Sequence, residues 1–289
     1  MRRVRQLPDI SIRQLEYLVA VADSSTWAAA AATVGVSASA LSQGLAELER
    51  RVGVELFRPD GRRRVLRDAA TPVLDHARQV VSLTGDLTDW AGRLNSSTAG
   101  RVRLGMVDVA AVDHYPDVLR EFRRERPDVE LTLSVAPSAS LLDDLRAGTL
   151  DLAVCVEPAS AVPGIEVDAL RDEPIVVYAP AGTAIGPPST WGPWVLFPEG
   201  SHTRHQIVER LRAVGAPVQI AADSHQANVL REMVSLGLGW TVLPAASEGQ
   251  GDDLARGPVL FDRTLVLARR AASVTDPAAD ELASRLRRA

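Results

Sequence analysis

The sequence predicts a multidomain chain in three parts: an α-rich head, one long connecting helix, and a two-lobed α/β body. Three observations predict it. Through residue 67, apolar residues recur at helical spacing, interrupted by capping residues and one Gly. From Val73 to Leu94 they recur every three or four residues without a break. From Arg101 onward, short apolar runs alternate with amphipathic stretches, as strands and helices do in a layered α/β domain.

Composition sets the limits. A chain of 289 residues has room for two or three domains. Its 46% hydrophobic content and mean hydropathy near zero describe a globular protein, and no run approaches the roughly 18 apolar residues of a membrane helix. The N-terminal "MRRVRQLPDISIRQ" is basic but has no apolar core after it, so no export signal is expected. Cys155 is the one cysteine, which excludes an intrachain disulfide framework and favours the cytoplasm. All 32 basic residues are Arg, which points to a GC-rich genome more than to a function. The net charge of −5 conceals an asymmetry: residues 1–67 hold eleven Arg against seven acids, and the remainder twenty-one against thirty. A basic head on an acidic body is compatible with nucleic-acid contact confined to the head.

Each element of the head has a local cause. Ser11 and Gln14 form a capping box ahead of a stripe of Ile12, Leu15, Leu18, Val19 and Ala22. Thr26 caps the Ala-rich "WAAAAATV", and Gly35 supplies the positive φ that ends it. Ser37 caps a third helix, with Leu41, Leu45, Leu48 and Val52 on its buried side. Away from that stripe lie Ser39, Ser42, Gln43, Glu47 and Arg50. Helix, Gly-containing turn and helix make a helix-turn-helix, whose second helix offers its N-terminal residues to the major groove. Gln pairs bidentately with adenine, and Ser bonds bases or phosphates. "LFRPDGRRRV" then predicts a turn at Pro59-Asp60-Gly61 and a hairpin wing that places Arg62, Arg63 and Arg64 on phosphates or in the minor groove. The plain alternative is a three-helix core with a solvated Arg run.

In the connecting helix, Val73, Ala77, Val80, Thr84, Leu87, Ala91 and Leu94 follow a 4-3-4-3 rhythm, a coiled-coil seam. Leu83, Leu87, Trp90 and Leu94 form a second stripe. "NSSTAG", residues 95–100, reads as a hinge. In the body, strands are expected at "RVRLGMV", "ELTLSVA", "DLAVCVE", "EPIVVYAP", "PWVLFPE", "PVQIAAD" and "RTLVLARR", with helices between them and after Ser201 and Asp276. Such alternation implies a parallel sheet, and two lobes joined by crossing strands imply a ligand cleft between them.

"AAATVGVSASALSQGLAELERRVGVELF" resembles the winged helix-turn-helix of the LysR-type transcriptional regulators, in Leu48-Glu49, Gly53 and Leu56-Phe57 above all. "FRRERPDVEL", "LRAGTLDLAV", "FPEGSHTR" and "MVSLGLGWTVLP" resemble that family's effector-binding domain, itself similar to type 2 periplasmic binding proteins. The resemblance covers essentially the whole chain. It implies a winged helix-turn-helix domain at 1–67, a linker and dimerisation helix at 68–95, and an effector-binding domain at 100–289. Lobe I would take about 100–162 and 265–289, and lobe II about 163–264. It also implies an effector-responsive regulator of promoter DNA, a homotetramer built as a dimer of dimers, RNA polymerase as a partner, and no cofactor, membrane or enzymatic role. The DNA-binding residues would be Ser37, Ser39, Ser42, Gln43, Arg50, Arg62, Arg63 and Arg64.

Three positions depart from the family pattern. Ala38 stands where Gln is common. Gly44 lies inside the third helix at a cost of roughly 1 kcal/mol. "LRDAA" replaces the family's "LT.aG", so Asp68 is expected to cap the next helix. For the effector, the resemblance points to Val107, Asp108, Ser138, Ser201, His202, Thr203, Arg204 and Gln226. Asp108 facing Arg204 would suit a zwitterionic or mixed polar ligand; alternatively Asp108 only caps a helix and Arg204 pairs with a nearby acid. His202, His205 and His225 have a spacing compatible with metal but lack the usual companions, and surface histidines are the plainer reading. Cys155 reads as core, and "GLGW" as a tight helix-to-strand turn. The competing function class is a solute-binding module with an incidental basic head.

Overall fold

A computed structural model describes residues 9–60, 63–96, 100–245, 254–274 and 276–289. The chain divides into two compact units between Asp89 and Trp90.

The first unit packs α1 (Ile12–Asp23), α2 (Trp27–Thr33) and α3 (Ala38–Val52) with a hairpin of β1 (Phe57–Asp60) and β2 (Arg63–Leu66). Both halves of the Ser11–Gln14 capping box form, and Thr26 and Ser37 accept the backbone N–H three residues ahead. These are i to i+3 bonds, which is why short stretches of sequence announce them. Leu41, Leu45 and Leu48 are fully buried, each contributing roughly 1.5–3 kcal/mol of transfer free energy. Gly53 ends α3 in the left-handed region. The Glu49 carboxylate accepts the amides of Leu56 at 2.8 Å and Phe57 at 3.2 Å, tying α3 to the hairpin. Phe57 meets Trp27 edge-on, with ring centres 5.1 Å apart. Thus Leu48, Glu49, Gly53, Leu56 and Phe57 hold the head together.

Two expectations change. Pro59 and Asp60 belong to β1, opposite Arg64 and Arg63, rather than to the expected turn; positions 61 and 62 lie outside the described residues. A two-stranded ribbon leaves one side of each strand unpaired, where proline's missing N–H costs no ladder bond. Asp68 begins a 3-10 turn, Asp68–Ala70, and the long helix α4 (Thr71–Ser96) starts after it. Pro72 fits that first turn, where its N–H has no intrahelical partner to lose. Leu74 and Ala77 are buried in the head core, with Val73, Val80 and Val81 against them.

The second unit begins with β3 (Arg101–Met106), α5 (Pro116–Glu125), β4 (Glu130–Val135), α6 (Ser138–Ala147), β5 (Leu152–Val156) and β6 (Ile165–Ala179). It continues through β7 (Trp194–Leu196), α7 (His202–Ala213), β8 (Ile220–Asp223), α8 (Ala227–Ser235), β9 (Thr241–Pro244), β10 (Ala255–Arg270) and α9 (Pro277–Leu286). A six-stranded sheet runs β4-β3-β5-β10-β6-β9, and β7 pairs with β8. The sheet is mixed rather than parallel as expected: β3 runs parallel to β4 and β5, but the β5–β10, β10–β6 and β6–β9 pairs are antiparallel. The cause is the length of β6 and β10, 15 and 16 residues, which run side by side through both lobes. One core gathers Leu104, Met106, Phe122, Leu141, Val154 and Leu282; the other gathers Ile175, Val177, Trp194, Ile207, Leu230 and Val242. Both strands have an apolar segment in one core and a charged, exposed segment elsewhere, so only part of each carries a burial signal.

Candidate nucleic-acid interface and ligand cleft

With its leucines inward, α3 turns Ser37, Ser39, Gln43 and Arg50 to solvent, while Ser42 is half-buried. The Ser37 hydroxyl is committed locally: it accepts from Ala40 N and meets Ser39 Oγ at 2.9 Å. Arg50 is also committed, since its Nε donates to Glu47 at 2.8 Å, and Arg51 grips the same carboxylate from the next turn. Hydrogen bonds from Arg50, then Arg51, hold the Glu47 carboxyl down at about 2, so it stays charged at neutral pH. Gln43 is thus the exposed polar side chain of this face with no such tether. Gly44 has a packing reason: an added Cβ would lie 2.7 Å from two ring carbons of Tyr17 on α1. Arg62 lies outside the described residues, and Arg63 and Arg64 are placed as β2 backbone only.

A cavity of about 410 Å³ opens between the two lobes. Six expected residues line it together: Val107 and Asp108 after β3, Ser138 at the start of α6, and Ser201, His202 and Thr203 where α7 begins. Gln226, next to the start of α8, joins them. Ser201 caps α7. Ser138 Oγ accepts Val156 N at 3.1 Å, and Thr203 is buried.

Arg204 is the correction. Its Nη1 donates to the Phe197 carbonyl at 2.9 Å, and the residue lines a neighbouring cavity instead of the cleft. A helix turns about 100° per residue, so the residue after Thr203 leaves the cleft face. The cation that does line the cleft is Arg263, unforeseen, along with Phe197, Glu199 and His225. The mixed-charge pairing of Asp108 with Arg204 therefore does not form. Asp108 instead accepts Val109 N at 2.9 Å and Ala227 N, the first residue of α8, at 3.2 Å. Both halves of the plainer option are what the structure holds: Asp108 meets a helix start, and Arg204 Nη2 lies 3.9 Å from the Glu199 carboxylate.

Behind the cleft lies a buried polar cluster. Arg263 donates to Glu173 through Nε and Nη2 and to Thr203 Oγ1 through Nη1 at 2.7 Å. Glu173 also meets His114 Nε2 at 2.8 Å, and Arg171 reaches His114 Nδ1 at 3.1 Å. Burial alone would push the Glu173 carboxyl up; His114 and Arg263 outweigh it, and the net shift is down. His114 ends a π-helical turn, Ala110–His114. A signal for this cluster existed: Glu173 and Arg263 fall in the same period-2 phase as Ile175 and Val177, and as Leu265 and Leu267. A charge on the buried phase of a strand needs a buried partner.

His202 and His225 line the cleft, whereas His205 meets Glu209 at 3.5 Å on the exposed side of α7. Among the described residues no three His, Cys, Asp or Glu are grouped to hold a metal ion. Cys155 is buried, and burial pushes its thiol up to about 12. Gly239 allows the backbone to pass the Pro193 carbonyl, 2.5 Å from where a Cβ would sit. Among the described residues no helix is long and apolar enough to cross a membrane.

A capped helix-turn-helix with a hairpin wing, continued into a two-lobed α/β body with a cleft, defines a DNA-binding regulator with a ligand-sensing domain. The profile described as the bacterial regulatory helix-turn-helix protein, lysR family, matches residues 12–71, and that described as the LysR substrate binding domain matches residues 95–289. The chain belongs to the LysR family of transcriptional regulators.

It is 31% identical to a probable hydrogen peroxide-inducible genes activator of Streptomyces viridosporus, over 100% of this chain and 96% of that protein. It is 29% identical to the transcriptional regulator PecT of Dickeya dadantii, over 82% and 73%. In fold it resembles a full-length OxyR variant from Pseudomonas aeruginosa, with a TM-score of 0.67, 23% identity and coverage of 98% and 95%. It also resembles full-length CbnR complexed with its target DNA, with a TM-score of 0.60, 21% identity and coverage of 96% and 99%.

Proposed function

We propose that this regulator binds an interrupted palindrome in promoter DNA through paired heads and that its two lobes close on a small polar molecule. The observation that carries the DNA half is α3, which commits its leucines to the core and leaves Ser39, Gln43 and Arg50 outward. The cleft carries the effector half, because residues from both lobes line it. Ser37, Ser42 and the wing arginines 62 to 64 complete the DNA contact in this reading. Pairing runs along α4, where Leu87 is 52% exposed although it sits on the apolar seam. Two such dimers make the tetramer, which works in the cytoplasm and contacts RNA polymerase at the bound promoter.

The peroxide response in a relative's name is not carried over. A thiol sensor needs an accessible thiolate. The single cysteine here is buried, with its thiol pushed up to about 12. A gel shift on the upstream intergenic DNA tests the reading. It should give a sequence-selective complex whose mobility or affinity changes with an effector found by thermal-shift screening. A head that retards all DNA equally overturns it.

A further inference from the structure

Helix α8 has no charged cap in its own lobe. Ser224 Oγ accepts the Gln226 N–H at 3.2 Å, but the Gln226 side chain makes no capping bond and the first turn holds no acid, so no negative charge of lobe II answers the helix start. Its anion comes from the other lobe. Asp108 follows β3 in lobe I, and its Oδ2 accepts the N–H of Ala227, 119 residues further along, at 3.2 Å. Oδ1 is anchored by Val109 N at 2.9 Å, which fixes the carboxylate toward the cleft. The same side chain lines the cavity and adds to the upward shift of Asp113, whose carboxyl is pushed up first by burial.

We propose that Asp108 is a tethered anion that latches lobe I to the start of α8 and thereby sets the class of ligand the cleft accepts. This rests on the reading of the cleft as the effector site. A ligand group reaching this end of the cleft meets a fixed carboxylate whose remaining lone pairs accept but do not donate. It must therefore present a donor, an amine or a hydroxyl. Carboxylates and phosphates are excluded there, because the helix start that would hold them is already occupied by a like charge. The same bond joins the two lobes directly, so it also sets their spacing.

Full-length protein with spin labels on Ala139→Cys and Glu199→Cys, one on each lobe at the cleft, reports that spacing; Cys155 is buried and stays unlabelled. The parent should give one narrow distance, and Asp108→Ala a longer or broader one. Asp108→Asn, whose amide oxygen still accepts from Ala227, should restore the narrow distance. Inorganic sulfate is the second probe. At matched ionic strength it should raise the melting temperature of Asp108→Ala by at least about 2 °C more than that of wild type, which corresponds to roughly 1 kcal/mol of binding for a domain of this size. An unchanged distance in Asp108→Ala overturns the latch, as does an Asn variant that behaves like Ala. An equal sulfate shift in both proteins overturns the exclusion of anions. A ligand mapped to the cleft alongside an unchanged distance removes the latch and leaves the effector reading standing. A ligand mapped elsewhere removes the effector reading without altering the distance result.

Discussion

Arg263 on β10 and Glu173 on β6 stand directly opposite each other in the strand register, with Nε 2.6 Å and Nη2 2.5 Å from Oε1. Their side chains are 4% and 2% exposed. The pair sits in the crossing strands, between Ile175 of one core and Leu265 of the other, and reaches Thr203 in lobe II and His114 in lobe I. Removing one member leaves the other buried and uncompensated, which typically costs about 3–5 kcal/mol. Glu173→Gln should therefore lower the denaturant midpoint sharply, and Glu173→Gln with Arg263→Met should recover part of the loss.

The same pair predicts an acid limit. The folded-state pKa of Glu173 is lowered, so its contribution is present above the unfolded carboxyl value, about 4.3, and is lost as pH falls through the folded value. Asp113 has the opposite sign. Burial, the largest cause, raises its pKa, so its favourable contribution is present below the unfolded value and is lost as pH rises through the folded one. Stability against pH should show a steeper acid loss in wild type than in Glu173→Gln. Asp113→Asn should be the more stable protein at neutral pH. Parallel curves for wild type and Glu173→Gln would place the acid loss elsewhere.

On α3, Glu47 holds the Arg50 guanidinium that the proposed DNA contact would need. Glu47→Gln should free the guanidinium for a phosphate, tightening binding to all sequences and steepening the salt dependence by about one counterion. Gln43→Ala should act differently, weakening the operator by about 1–3 kcal/mol while leaving non-specific DNA unchanged. Titrations at several salt concentrations separate the two. Equal losses on operator and random DNA in Gln43→Ala would mean that this side chain does not read bases.

Gly44 tests packing against propensity. Alanine would gain roughly 1 kcal/mol as a helix former, but its Cβ would press into the Tyr17 ring. Overpacking of this kind costs about 1–3 kcal/mol, so Gly44→Ala should be destabilising in thermal unfolding of the head. Gly44→Ala combined with Tyr17→Leu should recover stability.

Leu87→Glu places a charge on the exposed seam of α4. Light scattering should record a smaller assembly, and cooperative binding to paired half-sites should fall. A mass equal to wild type would mean that assembly does not use this face.

The caps of the head were legible in the sequence because each is a bond over three residues: Ser11 with Gln14, Thr26 with Ala29, Ser37 with Ala40. The buried stripe of Leu41, Leu45 and Leu48 follows from helical periodicity alone, and so does the outward face that carries Gln43. Of the cleft residues, Ser201 and Thr203 stand at a helix start that Ser201 marks locally, whereas Ser138 was indicated by the family resemblance. What the tertiary structure decided involves partners far apart in the chain. Tyr17 explains Gly44, which periodicity registers only as a weak helix former. Glu173 is 90 residues from Arg263, and neither residue's neighbours indicate the other. The outer half of β6 escaped notice because, as a crossing strand, it is largely exposed and carries no apolar alternation. Arg204 and Asp108 were both placed at the cleft by their position after a strand or at a helix start, yet their side chains went different ways. Arg204 found a carbonyl on its own lobe, while Asp108 found the start of a helix on the other. Sequence specifies which groups need a partner; only folding brings one within hydrogen-bond reach.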